Sequence, residues 1–378
     1  MLLFDKSAIQ ALGDKIVSPL ARYFSFVDCP ILRLEVLADL AKEPSQRNRD
    51  ATPESVVAGL AKRVRQISHF SIPHHARLLR TNLFGHEVPF NGQIPRYDIQ
   101  VFDTPEGGKG AFLDQTPESS ELLAWGDKSF SEKERELAKL WRAEKQHVDI
   151  PRLKAFLRRL GYPRFKSPED MIDWVDINLD DPKAQIQHIR RAAALFGLTN
   201  LEIARVEAIW RVSGSPMFKE RFRYAHYVYR VTISFLCAIH SELIPSGGGA
   251  KPHLDLEYLY YLPFCMVFCS DDRVHRILGP IVSPSDKMLI TSNDLRTASI
   301  ELTSFLESLE ADARKELLSD LNGYPPEIEG SLILRAWKQF MAPRSTEKRR
   351  ARTPEEEASL KAMLKERLDL AFRATGKR

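Results

Sequence analysis

Cysteine is scarce in this chain: four in 378 residues, at Cys29, Cys237, Cys265 and Cys269. That is too few for a disulfide-stapled fold, and no zinc-type spacing of Cys and His appears. Cys265 and Cys269 are four apart in "FCMVFC"; on a strand they would stand about 13 Å apart, too far to share an ion, so burial is expected. Long apolar runs are missing too. The most apolar stretch, "YVYRVTISFLCAI", contains Arg230 and falls short of a spanning helix. The opening "MLLF" is stopped by Asp5 and Lys6, which does not make a secretory leader, so a reducing, cytoplasmic setting is expected. Charge of one sign is lacking as well: 55 Lys and Arg against 51 Asp and Glu leave a net charge of +4. The balance leans only slightly toward anionic partners, so any such partner must be met by a local patch. No internal repeat is visible, "GGKG" lacks the spacing and following hydroxyl of a phosphate-cradling loop, and the adjacent His74 and His75 have no companion cluster.

What is present is an ordinary globular composition, 43% hydrophobic and 28% charged, at a length that allows two domains or one with a large insertion. Residues 1–40 alternate short apolar runs with helical patterns: "MLLF", "KSAIQALGDKIVSPLARYF", "SFVDC" and "PILRLEVLADLAK". The same rhythm returns after "IPSGGGAKP", with "LDLEYLYYL", "FCMVFC", "DRVHRILGPIV", "KMLIT" and a last helix. This predicts an α/β fold, a parallel sheet flanked by helices, built from residues 1–40 and 241–325. Residues 41–130 are rich in Gly, Pro and short alternating runs and predict an inserted, loop- and β-rich segment. Residues 131–240 predict a mainly helical insertion, with caps at Ser131 and Ser167. Residues 326–378 form a basic tail ending in a helix capped by Thr353, with Pro354 and Glu356 following.

The informative acids end apolar runs. Asp5 closes "LLF" and Asp272 follows "MVFCSD"; at the carboxyl ends of parallel strands both would face one crevice. Glu35 lies beside the apolar stripe of "ILRLEVLADL", and Asp255 opens the helix "LDLEYLYYL". Crowded carboxylates raise one another's pKa unless a cation lies between them, and a divalent ion answers that need. Taken singly, each acid also reads as a helix cap or a solvated residue. Asp271 competes with Asp272, Glu257 competes with or supplements Asp255, and Asp294 in "LITSND" reads more naturally as a helix cap. His275, three residues after Asp272, is placed to meet phosphate or to pack inside.

These four stretches together resemble the motifs of PIN-domain nucleases: "LLFDKSAIQAL" the first, "ILRLEVLADL" the second, "HLDLEYLYYL" the third and "VFCSDDRVH" the fourth. The resemblance covers about 100 residues, and the order of the motifs with the 17-residue step from Asp255 to Asp272 carries it. It implies a PIN-like sheet and a phosphodiesterase dependent on Mg²⁺ or Mn²⁺, most often a ribonuclease. It implies acids of the site at Asp5, Glu35, Asp255 and Asp272, with Ser7 and Ser270 as polar neighbours. The roughly 200 residues between Glu35 and Asp255 depart from small PIN domains. A catalytically silent PIN-like scaffold that binds nucleic acid or protein is the alternative, and a hydrolase of small phosphate esters a third.

One helix adds a nucleic-acid candidate. In "MFKERFRYAHYVYRVTISF", Lys219, Arg223, His226 and Arg230 run beside an apolar stripe, with Tyr224 and Tyr227 near them. Exposed, they would make a rail for an RNA or, second, a DNA backbone. The ordinary reading is a solvated basic face. The expected partner is nucleic acid, with no membrane and with room for a second copy or a protein partner.

Overall fold

The computed structural model describes residues 1–42, 52–95, 99–103, 109–113, 117–145, 150–244, 252–319, 324–341 and 353–362. Its strands are β1 (Leu2–Phe4), β2 (Phe26–Asp28), β3 (Ser68–Ser71), β4 (Ile99–Asp103), β5 (Lys109–Leu113), β6 (Val267–Cys269) and β7 (Met288–Ile290). Five of them form one sheet in the order β3-β2-β1-β6-β7, and every neighbouring pair is parallel. The fold is therefore α/β, mainly helical around a small parallel sheet. β4 and β5 form a separate antiparallel pair, in the stretch where short antiparallel strands are expected.

β1 sits at the centre because it has no polar face: Leu2, Leu3 and Phe4 are all buried, the signature of a strand covered on both sides. Burying each such side chain contributes about 1.5–3 kcal/mol. The chain leaves β1 to build β2 and β3 on one side, then returns to build β6 and β7 on the other. Strand order thus reverses between β1 and β6, where an open parallel sheet leaves a crevice at its carboxyl edge. The register there is Leu2 opposite Val267, Leu3 opposite Phe268 and Phe4 opposite Cys269.

Three details differ from the sequence reading. Residues 41–130 supply β3 to the main sheet, and helices Pro53–Ile67, His75–Leu83 and Pro117–Gly126 occupy much of that stretch. In the first of these, Val57, Leu60, Ala61 and Val64 repeat at helical spacing and are buried, so the parallel core extends into the presumed insertion. The basic helix is two: Phe218–Arg221 and Arg223–His240, broken at Phe222, whose φ of −127° and ψ of 59° are not helical. And Cys265 precedes β6 rather than lying within it, after the short 3₁₀ turn Leu262–Phe264; both cysteines are buried, as expected.

Helix Arg223–His240 is apolar nearly all round because it is enclosed, packing on helices Pro168–Leu179, Ile150–Arg159, His75–Leu83, Pro252–Leu259 and Arg273–Val282. The caps at Ser167 and Thr353 form as their spacing predicts, and Ser131 exchanges hydrogen bonds with Glu134. Among the described residues no helix is long and apolar enough to cross a membrane.

Candidate active site

Register decides what meets at the crevice. Since Phe4 pairs with Cys269, the next residues, Asp5 and Ser270, emerge side by side. The Asp5 amide donates to the Cys269 carbonyl at 3.2 Å, and the Ser270 hydroxyl donates to Asp5 Oδ2. The Asp5 carboxylate also accepts from Ser7 Oγ at 2.8 and 2.9 Å and from the Ala8 amide at 2.7 Å, so it caps helix Lys6–Ala11 as well. It is 3% exposed.

His275, on helix Arg273–Val282, completes a relay. Its Nδ1 lies 2.6 Å from Ser270 Oγ and 3.5 Å from Asp5 Oδ2, and its Nε2 meets the backbone carbonyl of Asp255. With the ring protonated, His275 donates to Ser270 and to Asp255, and Ser270 donates to Asp5. Burial alone would lower the His275 pKa, but the hydrogen bond and charge of Asp5, then the charge of Asp272, outweigh it and hold it above the ordinary value. Burial likewise pushes Asp5 up, and the His275 contact, the Ser270 hydroxyl and the Ala8 amide overcome that and hold it low. Each shift has the other group among its causes, and with His275 protonated the two form a buried ion pair.

The remaining candidates divide. Asp272 caps helix Arg273–Val282 by accepting from the Val274 amide at 2.6 Å, and its own amide donates to Ser270 Oγ at 3.0 Å. Asp271 turns instead to Ser292, accepting from its amide at 3.0 Å and from its hydroxyl, and so pins the end of β7. That settles which of the two faces His275. Glu35 is buried and accepts from the Tyr258 hydroxyl at 2.7 Å; the Tyr258 ring stands edge-on to His275 with centroids 5.6 Å apart. Asp255 reaches the network through its carbonyl. Glu257 lies 3.7 Å from His75 Nδ1, and Asp294 is a capping partner of Thr291.

Asp5 and Asp272 thus meet at Ser270, Asp255 reaches His275 through its backbone carbonyl, and Glu35 stands behind Tyr258, whose ring packs on His275. Among the described residues no three His, Cys, Asp or Glu side chains are placed to hold one ion together. Both oxygens of Asp5 already carry donors.

Sequence reasoning missed several partners. Lys6 donates to the Glu35 carbonyl at 2.9 Å and pairs with buried Asp39 at 2.8 Å, tying the first strand end to the helix that carries Glu35. Asp39 follows Glu35 by four residues, a spacing that puts both on one helical face. At the end of β2, buried Asp28 pairs with Arg33 and accepts from Ser71 Oγ at 2.7 Å. "FVD" was as visible an apolar run ending in an acid as "LLFD".

The proposed rail is corrected by its surroundings. Tyr224 and Tyr227 are buried, their hydroxyls on the Tyr260 and Leu259 carbonyls at 3.2 and 2.7 Å, so neither offers a ring for stacking on a base. His226 packs against the Phe218 ring with centroids 5.2 Å apart, and burial pushes it down to about 4. Arg230 holds Asp176 through two nitrogens at 2.5 and 2.8 Å. Lys219 is exposed and paired with Asp180 at 2.6 Å; Arg223 is exposed and lies over the Phe90 ring at 4.5 Å. The basic linker "EKRRAR" lies outside the described residues.

No family model matches the chain. Nor does any curated protein or solved structure match it significantly.

Proposed function

We propose that this chain is a PIN-like nuclease that hydrolyses phosphodiester bonds, in RNA before DNA, with Mg²⁺ or Mn²⁺. The observation that carries the reading is the meeting of Asp5 and the Ser270–Asp272 turn, 265 residues apart in the chain at Asp5 and Ser270, at the strand-order reversal of a parallel sheet. Crevices of that kind collect ligands. Support also comes from the order of the four acidic motifs, and from Glu35 and Asp255 reaching the same network through Tyr258 and His275.

A second reading, a catalytically silent scaffold that binds nucleic acid or protein, draws on one observation: Asp5 is buried and fully hydrogen-bonded. Incubation of purified protein with labelled RNA and DNA, with Mn²⁺, with Mg²⁺ and with a chelator, separates the two. The nuclease reading expects cleavage that needs the ion and falls by at least about 100-fold in Asp5→Asn, on the scale of losing a principal catalytic group. Asparagine nearly preserves the volume and can still accept from the Ala8 amide, so the variant should keep its circular dichroism spectrum. No cleavage by the wild type with either ion, or full cleavage by a folded Asp5→Asn, would sink the assignment.

A further inference from the structure

A second polar feature lies away from the acids. Helix His75–Leu83 and its cap present Arg77, Arg80, Thr81 and Phe84 at steps of three, one and three residues, which is one helical face. That face borders an open groove of about 600 Å³, closed on the other side by Arg205 of helix Asn200–Val212, with His86 at its rim. The Arg80 and Arg205 guanidinium groups rest on the Phe84 ring, at 5.8 and 5.1 Å from its centroid, which holds two charges in place without neutralising them. Arg80 has an acid partner in Glu202; Arg77 and Arg205 have none among the described residues. Two of the three exposed arginines thus have no acid to balance them within this surface.

Glycine makes room for one more. Gly85 has φ of +93°, a conformation L side chains rarely adopt, and a Cβ there would come within 2.9 Å of Arg221 Nη2. Arg221 lies against this backbone beside the groove, its Nε buried and without a hydrogen-bond partner.

The helix that borders the groove also touches the segment that bears Asp255. At the start of the same helix, the His75 amide donates to the Tyr261 hydroxyl at 3.1 Å, and its Nδ1 is 3.7 Å from Glu257. Tyr261 and Glu257 belong to the segment that bears Asp255. From His75 to Phe84 the helix advances about 14 Å, a distance a few nucleotides of single strand can cover.

We propose that this groove binds the sugar-phosphate backbone of single-stranded RNA and leads it toward the Asp5 crevice. The proposal rests on the nucleic-acid reading of that crevice, and it moves the binding surface from the 219–230 stretch to Arg77, Arg80 and Arg205. Arginine suits the role because its planar fork meets two phosphate oxygens at once.

The test is fluorescence anisotropy of a labelled single-stranded RNA oligonucleotide with the full chain, in chelator so that nothing is cut, across a range of salt. Arg77→Glu with Arg205→Glu should weaken binding at least tenfold. The slope of log affinity against log salt should become shallower by about 1.4, since each phosphate contact on a single strand contributes about 0.7. The same charge change at exposed Arg158 and Arg159 should leave both quantities as in the wild type. Unchanged affinity and slope in the Arg77/Arg205 variant would overturn the groove. So would a wild type that ignores RNA and captures poly-glutamate, which would point to an acidic protein partner. RNA binding lost in that variant but no cleavage by wild type with Mn²⁺ or Mg²⁺ would leave the groove standing and remove the nuclease reading. Ion-dependent cleavage with Arg77/Arg205-independent binding would do the reverse.

Discussion

A single buried imidazole can set how a protein answers acid. His226 is held neutral by burial, its pKa pushed down to about 4 from an ordinary 6.5. Between those values the unfolded chain binds a proton that the folded chain refuses, so stability rises with pH across that window and falls as pH drops from 6.5 toward 4. At about 1.4 kcal/mol for each pH unit, the loss from this one residue approaches about 3 kcal/mol. His75, pushed by burial and then by the His74 charge to about 3, acts in the same direction. Urea unfolding at pH 7 and pH 4.5 should show the loss, and His226→Phe should make it smaller. A variant with the wild-type dependence on pH would show that another group carries it. His226 also shows why a periodic basic stripe misleads. Its spacing with Lys219, Arg223 and Arg230 is visible in the sequence, but spacing names a face without saying whether that face is covered. In contrast Asp5, Ser270 and Asp272 were legible, because an apolar run that ends in a capping residue is a local signal.

Elements here are joined by polar bolts as well as by apolar contact. Arg230 leaves helix Arg223–His240, grips Asp176 on helix Pro168–Leu179, and donates to the Ile281 and Val282 carbonyls at 3.3 Å each. Those carbonyls end helix Arg273–Val282, where a cation is favoured by the helix dipole and by unpaired acceptors. One side chain thus holds three helices, including the one that presents His275. Arg230→Met keeps the stem and removes the hydrogen bonds. It should cost about 1.5–3 kcal/mol, the range for hydrogen bonds to charged groups, read from the denaturation midpoint. A change below about 0.5 kcal/mol, the level of an ordinary surface substitution, would mean the bolt is idle. Element types came through from the sequence where hydrophobic periodicity was strong: β1, β2, β6 and β7, and the helices that follow Asp5, Cys29 and Thr291. Between residues 41 and 130 the antiparallel pair was legible, but the helices were not, because Gly and Pro drew attention from the buried Val57, Leu60, Ala61 and Val64.

The chain closes on itself, and that closure has a cost for any fragment. β6 lies between β1 and β7, and the Met266 and Val267 amides donate to the Met1 carbonyl at 3.0 and 3.1 Å. A fragment of residues 252–341 has β6 and β7 but lacks β1, so β6 would expose a bare apolar edge. Expressed alone it should show no cooperative thermal transition, whereas the full chain should melt as a unit; a fragment that unfolds cooperatively would show the two ends to be separable. The order of residues alone determined the alternation of strand and helix at both ends, the acids that close the apolar runs, and the caps, since each depends on neighbours within about one turn. The tertiary structure alone decided that Phe4 meets Cys269 and so Asp5 meets Ser270, that His275 and Tyr258 join the acids, that Tyr224, Tyr227, His226 and Arg230 are packed among neighbouring helices, and that Arg205 faces Arg77 and Arg80. Those outcomes depend on strand register and helix rotation, which are set by how the whole core packs and leave no mark within any short stretch of chain.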